Sequence, residues 1–298
     1  MESLDPGRQV RLDADVAGPL FMLAAALLFT VLNLIIKLMN PAYTVWHIGF
    51  IRFAGGLLVL LSVFGRHTNP FSGDRILLLI ARGIVGSIAF FALIASIRLL
   101  PLSTVIVIFY AYPAFAAVFA FLIFRESIGI FEVGCIAAVF SGVALLFDFK
   151  LGSGLAGQTL ALGGSMVAGL SVVIIKTLRQ SNGPVIIYLY FCLVGALITL
   201  PMCLSHPLWP ASAREWAMIA GIVFTSVTAQ LLMNQGFLYC RGWEGALFMS
   251  SETVFTAIVG IVFLNDPVSW RFWAGGLLVL GSALAMNRHR SGQIRSKP

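Results

Sequence analysis

Ten apolar runs, each close to the length that crosses a bilayer as a helix, constrain this chain more than any other feature. About 20 consecutive apolar residues span the hydrocarbon core. Runs of that kind occupy 17–39, 45–65, 75–98, 101–123, 128–147, 156–178, 185–204, 215–239, 242–264 and 268–287. The connections are short and hold Pro, Gly or charge, as in NPAYT at 40–44, RES at 125–127 and NDP at 265–267. Only 10% of the residues are charged and the mean hydropathy is +0.98, against about 25% charge in a soluble domain. The predicted fold class is an all-α integral membrane protein of ten transmembrane helices, with the lipid bilayer as its first partner.

The runs fall into two series of five. Ile35-Ile36-Lys37 recurs as Ile174-Ile175-Lys176, and Gly83-Ile84-Val85 as Gly221-Ile222-Val223. Phe115, Ala117 and Val118 fall on Phe255, Ala257 and Ile258, while Gly142, Ala144 and Leu145 fall on Gly281, Ala283 and Leu284. The offset stays at 138–140 in chain order. Five spans is an odd number, so the second half enters the membrane from the opposite side, a 5+5 inverted-topology repeat. In transporters built this way the binding site lies near the midplane where the halves meet. The predicted organisation is a tail at 1–16, repeats at 17–147 and 156–287 joined by a linker at 148–155, and a basic tail at 288–298. Lys and Arg favour placing both termini in the cytoplasm. Only Lys37, Arg98, Lys150, Arg214 and Arg271 then fall outside, with Arg52 and Arg82 inside spans. The first apolar run has no small-residue cleavage site at its end and is expected to be a retained helix.

Several function classes are disfavoured. The four histidines, His47, His67, His206 and His289, lie at span ends or in loops. Neither Gly-x-Ser-x-Gly nor His-Glu-x-x-His occurs, which argues against an intramembrane enzyme. No Walker motif is present, which argues against a self-contained ATP-driven pump. Cys135, Cys192, Cys203 and Cys240 form no Cys-x-x-Cys pair, so no metal and no cofactor is called for. The net charge of +7 is spread singly through connections and the C-terminal tail, a membrane protein's pattern rather than that of a nucleic-acid binder.

Four features carry a family resemblance. They are Pro41 followed by Ile51-Arg52-Phe53, the proline in Tyr110-Ala111-Tyr112-Pro113, the turn Phe124-Arg125-Glu126, and its counterpart Asp266. With the ten-span layout, the chain resembles EamA-type members of the drug/metabolite transporter superfamily, most of all the bacterial exporters of aromatic and other amino acids. Thr253 stands where the repeat would place the second proline. The resemblance implies a single-chain exporter in a bacterial-type cytoplasmic (inner) membrane, a monomer, with spans 3, 4, 8 and 9 lining a cavity. It implies a small-molecule substrate, with amino acids the leading class. Other metabolites or drugs, or a lipid on the same fold, stay as rivals.

Polar groups inside the bilayer are costly and face a cavity or a partner. Glu252, mid-depth in Ser250-Ser251-Glu252-Thr253, suits a substrate ammonium contact or a proton-exchanging carboxylate; a buried ion pair or a helix–helix hydrogen bond is the plainer alternative. Tyr110, Tyr112 and Pro113 share that depth on span 4, where proline bends a helix and frees a carbonyl. On a continuous helix the two tyrosines point about 200° apart, so one of them is expected to face a given cavity. Gln230 and Asn234 share a face of span 8, and Thr30, Asn33 and Lys37 a face of span 1. Asn33 is the candidate there, with Lys37 expected to snorkel to the outer interface. Arg82 suits either a substrate carboxylate or a protein carboxylate, and the latter is expected. Arg52 is expected to act structurally, in a gate pair or as a carbonyl clamp. Gly157, Ala161, Ser165 and Gly169 on span 6, and Gly134, Ala138 and Gly142 on span 5, form small-residue faces suited to close packing. Glu132 and Trp243 are placed near the inner interface.

Overall fold

The computed structural model describes residues 6–65, 72–125, 129–146, 152–239, 248–267 and 269–295, and every regular element among them is a helix. In chain order these are α1 (Pro6–Leu38), α2 (Val45–Phe64), α3 (Ile76–Leu99), α4 (Leu102–Phe109), α5 (Tyr112–Phe124) and α6 (Ile130–Leu146). There follow α7 (Gly152–Leu178), α8 (Pro184–Ser205), α9 (Ala213–Tyr239), α10 (Ser251–Leu264) and α11 (Trp270–Arg295). α4 and α5 together form span 4, since Leu102–Phe124 is continuous in length and hydropathy. The chain thus has ten membrane helices, α6 and α10 being the shorter apolar ones. Both outer ends differ from the run limits: α1 starts at Pro6 and α11 continues to Arg295. The first residues of the predicted ninth run, up to 247, lie outside the described residues.

An apolar residue on the outside of this bundle is stable because its solvent is lipid. Leu77, Ile130 and Leu277 are 85%, 91% and 76% exposed, where a water-soluble surface would carry charge. The polar side chains turn inward instead: Thr30, Asn33, Arg52, Arg82, Gln230, Asn234 and Glu252 are all buried. With no water in the hydrocarbon, such groups gain only from one another or from a cargo.

The packing repeats under exchange of the two halves. α1 lies on α9 and α3 on α7; α5 lies on α7 and α1 on α10; α3 lies on α8 and α2 on α9. Each pair is the image of the other when spans 1–5 are swapped for spans 6–10. Three contacts are their own images: α2 on α8, α6 on α11 and α4 on α10. Span 4 and span 9 also end alike, with Arg125 and Asn265 both left-handed at φ 53° and 52°.

Small residues set the closest approaches. A Cβ on Gly142 would stand 2.8 Å from the Gly275 carbonyl, where α6 and α11 cross. A Cβ on Gly169 would meet Phe115, the Ala116 amide and the Tyr112 carbonyl at 2.7–2.9 Å. The span 6 face therefore packs inside the chain. On span 5 the predicted face is used only in part, since Gly134 has nothing within 4 Å of a built Cβ. Glu132, expected near the inner interface, is buried in the first turn of α6.

Helix ends at one membrane face are tied by charged side chains. Lys37 Nζ donates to the Ile97 and Leu100 carbonyls at 2.7 and 2.6 Å, and Arg98 Nη1 to the Met39 carbonyl at 2.7 Å. Lys37 thus caps α3 rather than reaching freely for the interface, because the last carbonyls of a helix are unsatisfied and partly negative. Asp266 Oδ2 accepts from the Ser103 amide and hydroxyl at 2.9 and 2.8 Å, holding the first turn of α4 against the end of α10. On the opposite face the Asn182 amide bridges to the Asp74 backbone at 2.8 and 3.1 Å.

Candidate functional site

Two helix breaks meet at mid-depth. Pro113 has no amide hydrogen, so α5 restarts with it in the first turn after Tyr110 and Ala111, whose ψ angles are 7° and −10°. In span 9 the break falls at Ser250, ψ −14°, with no proline present. Residues 250–253 are the repeat images of 110–113, so Thr253 occupies the proline's place and the bend survives without it. The Ser251 hydroxyl donates to the Phe248 carbonyl at 2.5 Å and helps satisfy the freed backbone.

Glu252 sits in the first turn of α10 beside this break. Its Oε1 accepts from Asn33 Nδ2 at 3.0 Å and its Oε2 is 2.8 Å from the Tyr110 hydroxyl. That hydroxyl is also 2.7 Å from the Met249 carbonyl. A tyrosine has one proton and here two acceptors, so it satisfies both contacts only when Glu252 supplies a proton of its own. Thr30 and Thr256 pair at 3.1 Å one turn away, fixing α1 against α10. Of the two plain alternatives, a buried ion pair is absent among the described residues, while the inter-helix hydrogen bond is present, from Glu252 to Asn33 on α1 and to Tyr110 at the end of α4.

Tyr112 joins this group. Its ring lies 5.4 Å from that of Tyr110, edge to face. The expectation that the two would diverge assumed an unbroken helix, and the interruption at Ala111 removes it. Gln230 and Asn234 are both buried on α9. Thr253 is buried, and its hydroxyl finds no partner among the described residues.

The two arginines are placed differently from the sequence expectation. Arg52 Cζ stands 4.0 Å over the Phe90 ring and 5.9 Å from the Phe191 ring. Arg82 Cζ stands 4.4 Å over the same Phe191 ring. Among the described residues neither is ion-paired with a carboxylate, which corrects the protein carboxylate expected beside Arg82. Arg82 lies within electrostatic reach of Arg52, and Arg52 in turn within reach of Glu252. Tyr188 and Cys192 complete the surroundings.

Sequence reasoning missed Thr256, although a polar residue four positions after Glu252 on an apolar helix was a usable signal. It also missed Phe90, Phe191 and Tyr188, which nothing in a single apolar sequence separates from ordinary packing residues. Trp243 lies outside the described residues.

The model of the EamA-like transporter family matches this chain twice, over residues 16–148 and 155–288. The chain belongs to the EamA-like transporter family. The two matches coincide with the two five-helix halves, so the doubling read from sequence offsets is the family's own repeat. The chain is similar to the pseudopaline exporter CntI of Pseudomonas aeruginosa, at 25% identity over 94% of this chain and 99% of that protein. It is also similar to human solute carrier family 35 member G1, at 22% identity over 89% of this chain and 77% of that protein. A crystal structure covering 94% of this chain superposes with a TM-score of 0.63 at 18% identity, a likeness of fold. As a family member the chain is a multi-pass membrane transporter for small molecules.

Proposed function

We propose that this EamA-family chain exports small metabolites, amino acids of the aromatic and other neutral kinds foremost, by alternating access through the midplane between its halves. One observation carries the reading: Glu252, buried beside a broken helix, is held by Asn33 and Tyr110 with no cation bonded to it among the described residues. A substrate ammonium supplies the missing charge, and Tyr110 and Tyr112 offer ring faces for a flat side chain. Gln230, Asn234 and Ser251 extend the polar wall. In this reading spans 4 and 9 swing about Pro113 and its image Thr253, opening the site to one side at a time. The chain works as a monomer in a bacterial-type inner membrane with both termini cytoplasmic.

A second reading, export of a different organic metabolite, is favoured by the similarity to a protein named as a pseudopaline exporter. Flux into liposomes separates the readings. Saturable movement of L-phenylalanine, absent without protein, supports amino-acid transport. Movement of labelled lipid alone supports a flippase and removes it.

A further inference from the structure

Arg82 reaches the wrong way for a residue of its depth. It lies six residues, about 9 Å of helical rise, from the start of α3 at Ile76. An arginine so placed lowers its energy by snorkelling to the near interface. Its side chain runs instead one turn deeper, where Arg82 Nη1 occupies the space a Gly86 side chain would fill. The direction also opposes the tilt of helical side chains toward the helix N-terminus. Arg82 is therefore driven toward the membrane interior and toward a second cation, Arg52.

The two guanidinium groups share the Phe191 ring, and each is nine-tenths or more buried. Arg52 Nε, Arg82 Nε and Arg82 Nη1 have no acceptor among the described residues. Unmade bonds to a charged group in a buried place are costly. Aromatic faces offset part of the desolvation but accept none of these N–H groups in the manner of an oxygen. Two guanidinium groups that share one ring, with N–H groups left unmatched and no carboxylate beside them, suit a bound oxyanion.

We propose that Arg52 and Arg82 form the binding place for a carboxylate carried by the cargo, at the level of Phe191 between α2, α3 and α8. Arg52, expected to be structural, then becomes a ligand-contacting residue. The inference deepens the transport reading and rests on it for the route. A cargo with both an ammonium and a carboxylate spans from Glu252 to the arginine pair, while a cargo with a carboxylate alone uses the pair.

The test uses the full chain, purified in detergent, with three probes that share one ring: L-phenylalanine, 3-phenylpropionate and phenethylamine. Binding is read by thermal shift and tryptophan fluorescence. The expected result is saturable binding of 3-phenylpropionate that weakens about tenfold or more in Arg82→Gln and in Arg52→Gln. Arg82→Lys keeps the charge, tolerates the fold, and still weakens it by losing the fork. Phenethylamine is expected to bind with no dependence on either arginine. Absence of 3-phenylpropionate binding, affinity unchanged in Arg82→Lys and Arg52→Lys, or binding of phenyl phosphate in its place overturns the proposal. Arginine-dependent binding of 3-phenylpropionate without any L-phenylalanine flux keeps the carboxylate site and removes the amino-acid reading. L-phenylalanine flux insensitive to both arginines does the reverse.

Discussion

Exchanging Glu252 for Gln alters one charge and almost no volume, so it separates function from architecture at this position. Glu252 makes two contacts, with Asn33 Nδ2 at 3.0 Å and the Tyr110 hydroxyl at 2.8 Å. A glutamine keeps both: its oxygen accepts from Asn33, and its amide donates to Tyr110, whose single proton then serves the Met249 carbonyl at 2.7 Å. The folded protein is expected to melt within about 0.5 kcal/mol of the parent, since no polar group is stranded. Cargo is expected to suffer far more. A hydrogen bond to a charged group contributes about 1.5–3 kcal/mol, and each 1.4 kcal/mol is about a factor of ten. The apparent affinity for L-phenylalanine should therefore fall by about 10- to 100-fold, read as a rise in KM for flux into proteoliposomes. Flux within about twofold of the parent would refute the reasoning, because the carboxylate would then be contacting nothing that moves.

Tyr110→Phe removes the hydroxyl that bridges Glu252 and the Met249 carbonyl, and about 1–3 kcal/mol of stability should be lost in thermal unfolding. Gly169→Leu drives a side chain against the Tyr112 carbonyl and Ala116 amide; a loss of about 1–3 kcal/mol or failure to fold is expected. Asp266→Ala removes both bonds to Ser103 at the first turn of α4, and unfolding should register a loss of about 0.5–2 kcal/mol. For topology, cysteines placed at the exposed Ala42 and Ser181 should label from opposite sides of sealed cells with an impermeant reagent. Labelling of both from one side refutes the inverted arrangement.

The spans were legible because the bilayer fixes a length, and apolar runs of that length show whatever their side chains do later. The first helix break was legible too, since Pro113 announces it. Its twin at Ser250 has no local signal and emerges only from the repeat, where four residues inherit the bend of 110–113. Legibility ends at side-chain direction. Tyr110 and Tyr112 come together because a break cancels helical spacing, and Arg82 turns toward Arg52 because Gly86 leaves room. Both outcomes depend on which helices meet, a matter of three-dimensional packing that charge and spacing along the chain do not encode. Glu126, half of the turn motif at the end of span 4, lies outside the described residues.

The frame of this molecule is two-fold, but its chemistry is not. Glu252 has Tyr112 as its repeat image, Asn33 has Val172 and Thr256 has Ala116, so the polar contacts belong to one copy of each position. Duplication thus freed a spare set of positions from the duty of holding helices together. A lineage built on this plan acquires a new cargo by altering that unmatched set, while the mirrored seams that hold the bundle stay as they were.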